Sequence, residues 1–381
     1  MKITTFFRAV ILTAVILFLI SDRILFSQSS NDILNLLIAN KSITQQQADS
    51  IRAVAALKQQ EADTNKKTFS LNASRLFQLS GYTHVRYQRL EESGKTSGFD
   101  IRRARFDLKG SVTPFFGYRL QADFAGSPKL IDAYTEIKIA DYFTITAGQF
   151  KIPFSYENLA SDNKMEVIDR SQVIEALVAR GKDVLGNTIG RDIGIQADGK
   201  FLKINGAPLV EYSLAVLNGS GVNVADTANS NKDLAARIVF APLKGLYFGG
   251  SYYDGWDKVS KPDVAGKSQV RDRLGFEAGY VLPRFSVRGE YIAGKDGKTN
   301  KAGWYFMAGY FVIPQKLQFV VRYDTYDPNT GKSNDVTTNY AIGGNINFNN
   351  RTRLQIFYTF RAEEGASVNN NYLAVQYQVG F

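Results

Sequence analysis

The chain has 381 residues and a formal charge of +10, is rich in Tyr (20), Phe (26) and Gly (32), and carries no Cys and a single His, His84. This composition removes disulfides, thiolate nucleophiles and Cys-based metal sites, and leaves too little His for the usual zinc sites or a Ser-His-Asp triad. The charge is dispersed rather than clustered, which argues against a nucleic-acid partner, and nothing implies a cofactor.

The chain opens with "MKITTFFRAVILTAVILFLISDRILFSQSS". Lys2 and Arg8 precede an apolar run, Ala9 to Ile20, that is too short to span a bilayer comfortably but has the length of a signal-peptide core. Ser27 offers a cleavage point, so residues 1–27 read as a signal peptide and the mature protein as exported. Asp22 and Arg23 follow the run closely; an uncleaved anchor is the alternative. Residues 28–70 are free of Pro and Gly and rich in Ala, Leu, Gln and Lys. Ile33, Leu34, Leu36 and Leu37 recur at helical spacing. After a break at 40–42, Thr44 reads as the N-cap of a second helix ending near Lys58. This predicts a short helical segment on the periplasmic side, either a coil with neighbouring copies or a spacer; whether it meets a periplasmic partner is open.

From 71 to 381 the pattern changes to segments of about ten residues with alternating polarity, separated by turn residues, as in transmembrane β-barrels. The predicted strands are 77–90, 99–109, 116–126, 131–139, 143–154, 191–199, 210–219, 233–242, 246–255, 271–282, 285–294, 302–313, 317–327, 337–349, 351–362 and 371–381. In the last, "YLAVQYQVGF", Leu373, Val375, Tyr377, Val379 and Phe381 face one way, and the chain stops on an aromatic residue, an ending that resembles bacterial outer-membrane proteins. Connections alternate short (140–142, 243–245, 283–284, 314–316, 349–350) and long (91–98, 219–232, 255–270, 363–370). Phe115, Phe116, Tyr118, Tyr142, Phe143, Tyr247 and Phe248 crowd the short-turn ends, where an interfacial girdle belongs. A soluble sandwich or propeller would bury charged faces without partners. The fold class is therefore all-β, a 16-stranded antiparallel transmembrane barrel in membrane lipid, wide enough for a wet lumen.

The segment "DIRRARFDLKG" (100–110) tests the orientation of the strands. Its odd positions are Arg103, Arg105, Asp107 and Lys109; its even ones are Arg102, Ala104, Phe106 and Leu108. A basic residue facing lipid costs about 2–4 kcal/mol at the midplane and about 0–1 near an interface. The odd set is therefore lumenal, with Arg102 left on the lipid face near its outer edge. The same period places Gln78, Ser80, Tyr82, His84 and Arg86 inside strand 1, and Arg119, Gln121 and Asp123 inside strand 3. Asp132, Tyr134, Glu136 and Lys138 fall inside strand 4, and Arg237, Arg288, Glu290, Arg322, Asp324, Arg353 and Arg361 further round. In "FTITAGQFKIPF" the phase changes near Gly148, which predicts a bulge and turns Lys151 inward. The long connection 155–190 contains "EVIDRSQVIEALVARG", which can form a short helix. Arg and Lys rings along a pore wall favour anions, and Arg suits phosphate through its planar fork; a generic wet wall of paired charges is the alternative.

The run "SGFDIRRARFDLKGSV", then "YRLQADFAG", "LIDAYTEIKI", "FTITAGQFKIPFSYENL" and "DRSQVIEAL…GRDIGIQADGK", resembles the phosphate-selective porins of the O and P type. The match is closest over 80–199; later strands match in pattern. The resemblance implies a sixteen-stranded outer-membrane barrel, a homotrimer, and a constriction loop at 155–190. It also implies small inorganic anions as cargo, passed along basic residues toward a phosphate site. Arg103 and Arg105 match the family's arginine-rich second strand, and Arg191 with Asp192 its post-loop motif. The expected substrate-binding set is Arg86, Arg103, Arg105, Lys109, Arg119, Lys151, Lys164, Arg170, Arg180, Lys182 and Arg191. The loop departs from the pattern: Glu157, Asp162, Glu166, Asp169, Glu175 and Asp183 make it slightly acidic, so tight phosphate selectivity requires those acids to pair or turn away. Competing readings are a non-selective diffusion porin, an outer-membrane enzyme using His84, and a structural barrel closed by its loop. No Ser lies in a recognisable nucleophile elbow, which weighs against the enzyme.

Overall fold

The computed structural model describes residues 76–178, 189–204, 207–225, 231–258, 268–365 and 368–381, together with residues 35, 38–40, 42, 44, 45, 47 and 48. The predicted signal peptide and most of segment 28–70 lie outside the described residues. The chain divides into two units, 1–69 and 70–381. In the first, Thr44 accepts from Gln47 N through its Oγ1 (3.2 Å) while Gln47 Oε1 accepts from Thr44 N (2.8 Å). This reciprocal pair is a capping box, the cap expected at Thr44.

The second unit is a closed antiparallel barrel. Its strands are β1 (Gln78–Leu90), β2 (Gly98–Ser111), β3 (Phe116–Asp123), β4 (Lys129–Ala140), β5 (Phe143–Lys151), β6 (Arg191–Ile204), β7 (Ala207–Leu217), β8 (Asp233–Leu243), β9 (Leu246–Asp254), β10 (Trp256–Lys258), β11 (Ser268–Val281), β12 (Phe285–Asp296), β13 (Thr299–Ile313), β14 (Leu317–Asp327), β15 (Thr337–Asn347), β16 (Thr352–Glu363) and β17 (Tyr372–Gly380). β9 and β10 are one stave interrupted at Gly255, since both pair with β11, so the barrel has sixteen staves. β17 returns to β1 from Tyr82↔Gly380 to Leu90↔Tyr372, and Gly81 and Phe381 exchange backbone hydrogen bonds of 3.2 and 3.0 Å. Closure leaves no sheet edge to satisfy, which is what lets strands cross a bilayer.

Period-two alternation sets the two faces. Phe106, Ile195, Leu214, Ile238, Phe276, Phe306 and Phe319 point outward and are exposed, while Arg105, Gln121, Asp123, Asp132, Arg322 and Asp324 are buried inside. Three details differ from the sequence reading. β10 and β11 extend beyond the predicted strand ends and shorten the connection expected at 255–270. Gly148 changes the phase of β5 without a bulge: the register to β4 and β6 runs through it unbroken, and its φ of 129° turns Gln149 inward beside the buried Phe150. A Cβ there would stand 2.3 Å from the Ala133 carbonyl, so the position accepts only glycine. Tyr247 is not part of the outer girdle, because its ring stacks on Tyr156 of the loop at 5.6 Å.

Candidate functional site: the loop and the arginine wall

The connection from β5 to β6 folds against the lumenal wall. It forms α1 (Tyr156–Leu159), a 3-10 turn (Asp162–Lys164) and α2 (Gln172–Leu177), the helix expected within 166–181. Glu290 on β12 accepts from the backbone N–H groups of Tyr156 (3.0 Å) and Glu157 (2.8 Å), taking up orphan donors at the start of α1. Val173, Ile174 and Leu177 are buried with Ile292, Tyr305, Val320 and Phe357 of the wall, and α2 packs against β12, β13 and β14. Each such side chain contributes about 1.5–3 kcal/mol on burial. At the loop's far end Gly190 (φ 64°) allows the Asn158 amide to approach where a Cβ would be 2.0 Å from Oδ1.

On the opposite wall the loop is held by charge. The Asp162 carboxylate accepts from Arg103 Nε (3.0 Å), Arg105 Nη1 (2.9 Å) and Arg170 Nη2 (2.5 Å). Arg105 also donates to Asp123 (3.0 Å) and to the Tyr82 hydroxyl (2.8 Å), and Arg170 to the carbonyls of Glu157 and Ala160. Asp169 accepts from Arg102 (2.8 Å), Arg86 (3.4 Å) and the Tyr372 hydroxyl (2.9 Å). Glu166 takes Arg288 at 2.5 Å, and Glu157 lies 3.6 Å from Arg322. Glu157, Asp162, Glu166 and Asp169 of the loop thus meet basic groups, those of the wall among them, which offsets part of the acidic balance read from sequence; Asp183 lies outside the described residues.

Arg102 corrects the sequence reading. Between His84 and Val85 the β1–β2 register slips: Arg103 faces His84 and Ile101 faces Val85, so Arg102 is the extra residue of a bulge. The bulge turns it inward, where Nη1 donates to the Ile168 carbonyl at 2.6 Å. A similar slip between Gln121 and Ala122 leaves Ile131 unpaired and buried.

Residues 77–258 match the model of the family described as phosphate-selective porin O and P. The chain is similar to that family over this span, just under half of its length. It is an outer-membrane β-barrel porin, and so a channel rather than an enzyme. Among solved structures it is similar to an anion-selective porin from Comamonas acidovorans (TM-score 0.62, 12% identity, covering 80% of this chain and 99% of that one). It is also similar to the high-pH structure of Pseudomonas putida OprB (0.60, 10%, 81% and 94%) and to the trimer form of OmpT from Vibrio cholerae (0.54, 10%, 80% and 99%). At these identities the likeness is one of fold. No curated protein matches the chain.

In this porin the expected residues separate into groups. Arg103, Arg105 and Arg170 meet at Asp162, with Arg86 close by at Asp169. Arg119 and Arg191 form a second cluster: Arg119 grips Asp107 with two bonds (2.8 and 2.9 Å), and Asp132 is shared by Arg119 (3.3 Å) and Arg191 (2.5 Å). Lys151 does point inward, donating to the carbonyls of Leu159 and Ala160 at 2.8 Å each. Lys109 and Lys164 are exposed and join neither cluster. Arg180 and Lys182 lie outside the described residues. Sequence reading missed Tyr82, Asp123 and Tyr372 as partners of these guanidiniums. Their lumenal parity was visible for the first two, but which wall groups the loop reaches was not.

Proposed function

We propose that this porin passes small inorganic anions, phosphate among them, with modest rather than tight selectivity. The observation that carries the reading is the cluster beside the loop. Three guanidiniums, Arg103, Arg105 and Arg170, converge on Asp162, with Asp123 as the further carboxylate paired to them among the described residues, so positive charge is in excess within this cluster. Rings of Arg and Lys in a constriction favour anions, because they replace hydration while an open path lets the ion leave. Dense pairing elsewhere, as at Asp107, Asp132 and Asp169, tempers that excess. The selectivity named for the family and for the Comamonas relative is in keeping with this reading.

The remaining expectations join the proposal: a cleaved leader at 1–27, a periplasmic helical segment at 28–70, the barrel at 71–381 with 155–190 as constriction, and a homotrimer, the form recorded for the OmpT relative. The deciding experiment is the reversal potential of the purified protein in a planar bilayer under a KCl gradient. An anion-selective potential supports the reading; a cation-selective or zero potential refutes it and leaves a general diffusion porin.

A further inference from the structure

The short turns of the barrel carry their charge unevenly. On the side of β4 to β7 the exposed basic residues are neutralised where they stand. Lys138 and Lys203 both pair with Asp141, at 3.0 and 3.2 Å, and Lys200 pairs with Glu211 at 2.8 Å. The next three short turns differ. Lys244 stands at the β8–β9 tip, Arg284 at the β11–β12 tip and Lys316 at the β13–β14 tip, and all three are exposed. Residues 243–245, 282–284 and 314–316 contain no acid. Among the described residues none of the three cations takes part in an ion pair.

The tips are held by their own backbones. Gly245 closes the first at φ 83° and its carbonyl accepts from Val281 N at 2.9 Å. Leu282 N donates to the Phe285 carbonyl (2.8 Å) across the second, and Lys316 N to the Ile313 carbonyl (3.0 Å) across the third. Behind each tip the outer face is apolar and exposed: Leu243 and Phe248 below Lys244, Tyr280 below Arg284, Tyr310 and Ile313 below Lys316. In a membrane barrel this surface meets acyl chains, and the aromatic rings at its margin mark the level of the headgroups. The tips, beyond that margin, stand in the headgroup layer. Adjacent tips are two strand spacings apart, roughly 10 Å, which lets each take a separate headgroup.

We propose that Lys244, Arg284 and Lys316 form an arc that binds anionic phospholipids of the leaflet at the short-turn end. The chemistry selected is a phosphodiester without an ammonium in the same headgroup, since a zwitterionic lipid presents little net charge to a cation. Each basic residue near an anionic surface gains about fivefold in affinity, an effect confined to a Debye length. The side of β4 to β7 lacks this attraction, because its cations already have carboxylates at 3.2 Å or less. The lipid contact is therefore one-sided, and it is independent of what the pore carries.

The test is native mass spectrometry of the full-length protein in detergent, titrated with phosphatidylglycerol or with phosphatidylcholine of the same acyl chains. Two double variants lose the same charge: Lys244→Gln with Lys316→Gln on the arc, and Lys298→Gln with Lys332→Gln on connections at the opposite end, where both lysines are exposed. The native protein should prefer phosphatidylglycerol. The arc variant should bind it roughly fivefold more weakly at each altered turn, with the control unchanged. The lumenal arginines are intact in all three forms, so headgroups held inside the barrel would leave the arc variant native-like. That result, or an equal loss in the control, overturns the arc. Absence of any preference in the native protein also overturns it and leaves the tips to an acidic polypeptide. If the arc variant does not reach the folded barrel, Arg284→Gln decides: about fivefold weaker binding supports the arc and native-like binding refutes it.

Discussion

Replacing Asp162 by Asn removes the charge on which three guanidiniums converge while keeping the side chain's shape. Asp162 is buried, and its bonds to Arg103, Arg105 and Arg170 measure 3.0, 2.9 and 2.5 Å. Breaking a buried ion pair from one side costs about 3–5 kcal/mol, because the partner charges stay behind. Part is recovered here: Asp123 remains 3.0 Å from Arg105, and the Asn oxygen still accepts a hydrogen bond. We expect a loss of about 3 kcal/mol in loop anchoring, or about a hundredfold in the ratio of docked to undocked loop. The barrel itself should persist, since its ladders run round the wall independently of the loop. Single-channel recording of Asp162→Asn should show larger, noisier conductance and a reversal potential shifted toward anions. Native conductance, noise and selectivity would refute the idea that Asp162 holds the loop.

Four further outcomes follow from the same geometry. Arg103→Gln combined with Arg105→Gln should move the reversal potential toward cations; an unmoved potential means these arginines are only structural. Glu290→Gln leaves one acceptor oxygen for the two backbone donors at α1 and should cost about 1 kcal/mol of loop anchoring, read as a modest rise in conductance noise. Ile238→Arg, on the exposed outer face of β8, should destabilise the folded barrel by about 2–4 kcal/mol in vesicle refolding titrations; native stability would place that face away from lipid. Gly148→Val should fail to fold into vesicles, because a Cβ there meets the Ala133 carbonyl; normal folding would refute the assignment of this turn of β5.

The barrel was legible because period-two alternation survives in nearly every stave, and because a charge facing lipid is costly enough to fix the inward set. Arg105, Asp123 and Asp132 lie where that argument puts them. It failed at Arg102, since one extra residue in β2 reverses which side the next side chain takes, and nothing in "DIRRAR" distinguishes a bulge from a regular strand. At Gly148 the change of phase was readable but its means was not: a left-handed glycine achieves what a bulge would. The site was half legible. The basic residues could be named, but some of the acids that hold them, Asp162 and Asp169, come from a loop remote in sequence, as the pairing of Arg102 with Asp169 shows. Such long-range pairing leaves no trace in local pattern. The excess of acids in 155–190 was the one available signal, and it pointed to partners on the wall rather than to a failure of the pore.

Asp169 has a consequence for assembly as well as for current. Its carboxylate reaches Arg86 on β1, Arg102 on β2 and the Tyr372 hydroxyl on β17, so one loop residue spans the seam where the first and last strands meet. The cylinder is closed only when the first and last strands are paired. Asp169 then works as a clasp across the joint between the two ends of the sheet. Docking of the loop and closure of the cylinder are thereby linked in energy, since the contacts of Asp169 are complete only when both are in place.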